Sequence, residues 1–357
     1  MLKASIRTCL VISLLAIQPL TAPAQETQAA EDPDSLRPLT IAAVGDMMLG
    51  TDFPTHRLAE DDGASLLADP TPILSGADIA FGNLEGVLLD GGEPVKQCSD
   101  PGSCYLFRSP THYADLFAKA GFTVMSLANN HARDFGEEGR TSSMEALAAR
   151  GIHHSGRIGD VASWEVDGSR IAMVAFAPFK GANDLLDIPA AAILVEALAS
   201  DHDIVIVSIH AGGEAGDVSH VPFEEEHFRG ENRGDVALFS RTVVDAGADL
   251  VIGHGPHVPR GVEVYKDRLI SYSLGNFATY YGIRVTGVNG LAPLLVVQVD
   301  RDGRFLEGQI HSYRQRRPRG PVTDSSREVA RRMQQLSAED FPDSSPEFDD
   351  TGKILPR

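Results

Sequence analysis

Five stretches of this chain carry side chains that bind cations or move protons: Asp46; Asn83 and Glu85; Asn130 and His131; His210 and Glu214; His254 and His257. Carboxylate, amide and imidazole donors suit zinc, manganese or iron, and no cysteine thiolate lies within these sets. Each set follows an apolar run of strand character. Phe122 to Met125 is one such run, before Leu127-Ala128-Asn129-Asn130-His131-Ala132-Arg133-Asp134-Phe135-Gly136. In α/β folds the chemistry sits at the carboxyl ends of strands. A lone histidine at a strand end more often serves a structural hydrogen bond. Five ligand-bearing ends in one sheet converge on one edge, and a divalent-metal site is expected there. Glycine beside four of the sets, at Gly45, Gly82, Gly212 and Gly253, is expected to let the backbone turn tightly and approach an ion. Asn129 and Asn130 also suit the cap of a following helix.

These side chains need a frame. Leu39 to Val44, Asp78 to Phe81, Phe122 to Met125, Asp203 to Ile209 and Asp249 to Ile252 read as strands. Thr111 to Ala120, Glu137 to Arg150, Ile188 to Ser200 and Arg233 to Ala246 read as helices, with Gly121 placed to end the first. Asp167-Gly168 is a hairpin-turn pair. Further strands follow at Gly261 to Tyr265, Arg268 to Ser273, Leu294 to Asp300 and Arg304 to Ser312. Alternating strands and helices with an antiparallel finish predict an α/β domain, over residues 38–313, with its sheet system covered by helices. Residues 25–37 read as a linker and 314–357 as a polar tail, mobile over its last twenty residues, with a helix at 325–337.

Residues 1–24 read as a signal peptide: Lys3 and Arg7, an apolar run from Cys9 to Leu20, and Ala22-Pro23-Ala24 before the cleavage point. No other stretch is long and apolar enough to span a bilayer, so no stable span is expected after cleavage, and the location is periplasmic or secreted. The chain has 357 residues and a net charge of −19, which becomes −21 once Lys3 and Arg7 are removed. That charge argues against non-specific nucleic-acid binding and against docking on an anionic membrane. Export permits disulfides, and Asp100-Pro101-Gly102 lets Cys98 and Cys104 meet, so a loop-stapling bridge is expected.

The sets and their order carry a family resemblance. Val44-Gly45-Asp46-Met47-Met48-Leu49-Gly50, Gly82-Asn83-Leu84-Glu85, Leu127-Ala128-Asn129-Asn130-His131 with Asp134 and Gly136, His210-Ala211-Gly212-Gly213-Glu214 and Tyr272-Ser273-Leu274-Gly275-Asn276-Phe277 resemble the CapA family of bacterial capsule synthesis proteins. That family is linked to poly-γ-glutamate production. The resemblance implies a four-layer αββα sandwich similar to the calcineurin-like metallophosphoesterases. It implies metal ligation by Asp46, Asn83, Glu85, Asn130, His210, His254 and His257, with one or two divalent ions. It also implies that His131 faces the substrate. Three departures stand out: Asp46-Met47-Met48 lacks the histidine of an Asp-x-His opening, His210-Ala211-Gly212 lacks the family's tryptophan, and Gly255-Pro256-His257 replaces a His-Pro-His.

The resemblance points to an exported, metal-dependent hydrolase-like protein of capsule or cell-envelope polymer metabolism, cleaving an amide or phosphoester bond. His131, held by Asp134 or a backbone carbonyl, would donate a proton to the leaving group. Two other readings stay open: a non-enzymatic polymer-binding or assembly component of capsule export, and a periplasmic metallophosphatase or nucleotidase. Partners would be an anionic polymer or envelope substrate and capsule synthesis or export proteins. Arg108, Glu214 and Asn276 are the candidate substrate-binding residues, Asn276 also being placed to hold a ligand-bearing loop. His153 and His154 read as structural, and Glu224, Glu225 and Glu226 as a solvated helix start.

Overall fold

Alternate residues of the Leu39–Met48 strand feed two different cores. Ile41 and Ala43 point into one, Ala42 and Val44 into the other. A strand apolar on both faces belongs inside a sheet with layers on either side. The computed structural model describes residues 37–96, 105–214 and 218–357. The expected leader (1–24), nearly all of the linker (25–37) and the Cys98–Cys104 pair lie outside the described residues.

Leu39–Met48 is central to a ten-stranded mixed sheet. It pairs in parallel with Ile79–Leu84 and antiparallel with Leu291–Val299. Val124–Ser126 and His153–Ser155 extend the parallel side, and Phe305–Arg316 lies beyond Leu291–Val299. A second, seven-stranded sheet runs Val262–Tyr265, Arg268–Ser271, Leu250–His254, Ile204–His210, Ser169–Ala177, Val161–Val166, with Asn183–Asp184 beside Ser169–Ala177.

The cores show how the sheets stack. Ile41, Phe81, Val124 and Leu295 of the first sheet share a core with Met173, Ile204, Ile206 and Ile252 of the second. On its other face the first sheet packs Val44 and Met125 against Phe117 and Leu147, from the Ala114–Ala120 and Gly136–Ala148 helices. The second packs Val174, Val207 and Val251 against Val195, Phe239 and Val243, from the Ile188–Asp201 and Val236–Asp245 helices. The result is the four-layer αββα sandwich that the resemblance implies. Asp167-Gly168 turns the expected hairpin between Val161–Val166 and Ser169–Ala177.

Two expectations are corrected. The five ligand-bearing ends do not share one sheet. Those of Asp46, Asn83 and Asn130 follow the first sheet, and those of His210 and His254 the second, so the site lies where two facing sheets end together. Hydrophobicity alone does not say which sheet a buried strand joins. The polar tail, 314–357, is not a tail: Gly320–Thr323 and Lys353–Leu355 pair with Phe305–Arg316, and Glu347–Phe348 pairs with Lys353–Leu355. Between them the Glu328–Asp340 helix puts Val329, Ala330 and Met333 into the inter-sheet core. Its polar composition reflects an amphipathic helix, five of whose residues are buried.

Candidate metal centre

Asp46 lies within its strand. Leu39–Met48 continues past Val44 because Asn276–Thr279 pairs alongside it, Asp46 opposite Asn276. The Asp46 N–H donates to the Gly275 carbonyl at 2.8 Å. Gly45 permits this: a Cβ there would lie 2.0 Å from the Gly275 oxygen. Gly253 has a similar reason, 2.2 Å from the Tyr272 oxygen. At these two positions close chain approach, not a tight turn, is what requires glycine.

Asp46, Glu85 and His210 are buried together, with ligand atoms all within 4.8 Å of one another. The Asn83 amide donates to Asp46 Oδ1 at 2.8 Å and Glu85 Oε2 at 3.0 Å, and lies 3.3 Å from His210 Nδ1. His257 approaches Asp46 Oδ2 with Nδ1 at 2.9 Å, and its Nε2 stands 3.8 Å from both Glu85 Oε1 and Glu214 Oε2. Glu214 is held on its other oxygen by Arg233 at 2.7 Å.

The charge balance is that of a cation site. Burial and the neighbouring Asp46 push Glu85 well above the usual carboxylate range. Burial also favours the neutral form of Asp46, yet the hydrogen bond and charge of His257 outweigh it and hold Asp46 well below that range. Burial opposes a charge on His257, but Asp46 and Glu85 prevail and raise it to about 10. Burial drives His210 well below the ordinary histidine value. Among the buried polar atoms that make no hydrogen bond within the described residues are Glu85 Oε1, His210 Nε2, Asn130 Oδ1 and Asn276 Oδ1. Buried acceptors without donors are costly, and a divalent cation is a partner that satisfies several at once. The donor set fits such an ion.

Beside this group, His131 Nδ1 lies 2.7 Å from Asp134 Oδ2. That oxygen also accepts the Phe107 N–H at 2.9 Å, while Oδ1 pairs with Lys96 Nζ at 2.9 Å. Phe107 packs on the His131 ring, with centroids 4.3 Å apart. Burial lowers His131 below the ordinary histidine value, with Asp134 pulling the other way. At neutral pH the ring is therefore neutral, its proton on the nitrogen facing Asp134 and a lone pair on Nε2.

Other expected residues sit differently. His254 turns Nε2 to the Val44 carbonyl at 3.2 Å and Nδ1 to that of Ile209 at 3.3 Å, so both nitrogens face main chain, not the carboxylate group. Arg108 is spent on structure: Nε donates to Asp52 at 2.6 Å, Nη1 to the Gly91 and Gly92 carbonyls, and the guanidinium lies over Phe53 and Phe135. It ties Asp52 to Gly91 and Gly92, and among the described residues it makes no hydrogen bond to the carboxylate group. Asn276 Nδ2 donates to the His257 carbonyl at 3.1 Å and to those of Arg284 and Asn289, holding the histidine loop. Glu226 does not start a helix. It opens the Glu226–Phe228 strand, binds Arg260 at 2.7 and 2.6 Å, and accepts the Gly213 N–H at 2.8 Å.

Sequence reasoning missed Lys96, Asn129, Arg233, Glu226 and Arg260. Asn129 caps no helix: its Oδ1 accepts the His131 N–H at 3.0 Å, and its Nδ2 binds the Leu84 carbonyl at 2.8 Å and Asn83 Oδ1 at 3.0 Å. A polar residue directly before Asn130-His131 was the available signal. Arg260 and Glu226 gave none, because a pair joining a loop residue to the first residue of a three-residue strand leaves no periodicity.

A capsule biosynthesis protein CapA from Bacillus anthracis is 29% identical over 261 residues, covering 67% of this chain and 59% of that one. A PGA biosynthesis protein CapA from Bacillus subtilis is 28% identical over 254 residues, covering 67% and 63%. The chain thus spans about three fifths of the length of these relatives. Among solved structures, an NAD nucleotidase from Haemophilus influenzae superposes with a TM-score of 0.40 at 13% identity, covering 84% of this chain and 56% of that one. A 5'-nucleotidase precursor from Thermus thermophilus gives 0.41 at 14% identity, covering 77% and 54%. At that level of superposition the fold rests on this chain's own sheets and cores. The family described as bacterial capsule synthesis protein PGA_cap matches residues 40–281, the span that contains every ligand-bearing strand end, and the chain belongs to that family.

Proposed function

We propose that this protein is an exported, metal-dependent hydrolase of capsule or cell-envelope polymer metabolism, cleaving a γ-glutamyl amide or a phosphoester in an anionic substrate. The observation that carries the reading is the buried Asp46–Glu85–His210 group, with Glu85 Oε1 and His210 Nε2 left without partners beside the His131–Asp134 pair. Asp46, Glu85 and His210, with Asn130 and His257, are the residues that would hold the ion. When bound, a divalent ion supplies Lewis acidity toward a carbonyl or phosphoryl oxygen.

The chain's own residues handle the proton. With its Nδ1 proton given to Asp134, His131 presents Nε2 as the acceptor for the proton released when water attacks. The resulting imidazolium is stabilised by Asp134 and returns the proton to the leaving group, which is the donor step expected from the sequence. Phe107 shields one face of the ring from solvent. Lys96 and Arg233 bring positive charge to the site in a strongly acidic chain.

Export is the second part of the proposal. Cleavage after Ala24 would give a mature chain beginning at Gln25, with Cys98 and Cys104 bridged outside the reducing cytoplasm. No helix among the described residues is long and apolar enough to cross a membrane. The test is metal content of the purified protein together with hydrolysis of γ-glutamyl peptides and phosphoesters by the metal-loaded protein. Metal-dependent turnover of either class is expected. Bound metal without turnover on any of them would favour a polymer-binding or assembly role instead.

A further inference from the structure

We infer that Asn83 is a hydrogen-bond donor that clamps the two carboxylates, not a metal ligand, and that the centre holds one divalent ion rather than two. The inference rests on the metal reading above and goes beyond it.

The orientation of Asn83 is fixed by main-chain groups two residues removed in the network. A backbone N–H can only donate and a carbonyl can only accept. The His131 N–H therefore identifies one end of the Asn129 amide as oxygen, and the Leu84 carbonyl identifies the other as nitrogen. Asn129 Nδ2 also reaches Asn83, whose facing atom must then be Oδ1. The Asn83 nitrogen is left pointing at Asp46 Oδ1 and Glu85 Oε2. Turning Asn83 over would set amide nitrogen against amide nitrogen and oxygen against two carboxylates. An amide nitrogen has no lone pair to offer a cation.

The remaining inventory fits one ion. Asp46 and Glu85, both fully buried, are the two carboxylates held by the Asn83 amide, and once ionised around a bound cation they match the charge of a single divalent ion. Met47 and Met48 add no oxygen or nitrogen donor, and His254 has both ring nitrogens on carbonyls. Among the described residues one group of metal-ligating side chains is close enough to share an ion. The clamp has a purpose of its own: two N–H bonds from one amide hold adjacent carboxylates together against their repulsion.

The test uses the full mature protein, stripped of metal and equilibrated with manganese or zinc, its bound ions counted by elemental mass spectrometry. One equivalent is expected. Two equivalents overturn the inference while leaving the metal reading intact; no bound ion overturns both. Asn83→Asp supplies the second arm. It replaces the donor with a third carboxylate beside Asp46 and Glu85, so the melting temperature of the metal-free variant falls below that of the metal-free parent and saturating manganese recovers the loss. A metal-free variant as stable as the parent overturns the donor assignment. If the variant does not fold, the ion count of the parent still decides.

Discussion

His131 and Asp134 are joined by a 2.7 Å hydrogen bond across one turn of chain, and the same carboxylate anchors both arms of the 88–110 excursion through Phe107 and Lys96. The pair thus couples a candidate proton carrier to the loop that borders it. His131→Ala is expected to keep its metal and lose about 10²- to 10⁴-fold in turnover. Asp46→Ala is expected to lose the metal itself. Metal stoichiometry measured beside turnover separates them, and unchanged turnover in His131→Ala would rule out the proton-transfer role.

The rate should carry an acid limb. His131 must be unprotonated at Nε2 to accept a proton, and burial holds it below the ordinary histidine value despite Asp134. Activity is therefore expected to fall as pH drops below that ordinary value, about 6.5. A midpoint clearly above it in the pH–rate profile would contradict the assignment.

Asp134 also links stability to pH. Burial favours its neutral form, but His131 and Lys96 outweigh that and lower its folded value. A depressed carboxylate stabilises the fold above its unfolded value, about 4, and the contribution is lost as pH falls through the folded value. The stability gap between the parent and Asp134→Asn should be widest at neutral pH and shrink in strong acid. Urea midpoints at the two pH values measure it, and a gap that widens in acid would count against the pairing.

The fully buried Arg260 and the mostly buried Glu226 form a two-point ion bridge that also holds the Gly213 N–H. Removing one partner leaves the other charge buried and alone. Arg260→Met should cost about 3–5 kcal/mol, with Arg260→Met/Glu226→Leu less damaging than the single change. Chemical denaturation of the three proteins gives the comparison; a double variant worse than the single one would argue against a desolvated pair.

If Cys98 and Cys104 are bridged as proposed, reduction or a double serine replacement should cost about 2–3 kcal/mol, modest because the enclosed loop is short. Two free thiols titrated in the denatured, non-reduced protein would refute it.

Much of this was legible from residue order. Strand ends and their donors were readable because apolar runs stop abruptly at Asp46, Asn83, Asn130, His210 and His254. Which donors face the ion was not. His254 and His257 look equivalent in sequence, but His254 lies within a strand between two carbonyls, and His257, at a backbone φ of 59°, turns toward Asp46. Arg108 looked free for an anion because the sequence does not show that Asp52 and two glycine carbonyls reach it first. Donor direction in Asn83 depends on a relay through Asn129, a property of the assembled fold.

The position of the Leu39–Met48 strand has a kinetic consequence. One edge finds Ile79–Leu84 early, but the other waits for Asn276–Thr279 and Leu291–Val299, near the far end of the sequence. A nascent chain therefore carries this strand, which the fold buries on both faces, half-paired until Leu291–Val299 has been made. Such distant pairing makes folding slow. The interval exposes an edge that invites aggregation, and it also keeps the polypeptide threadable for as long as its last strands have not arrived.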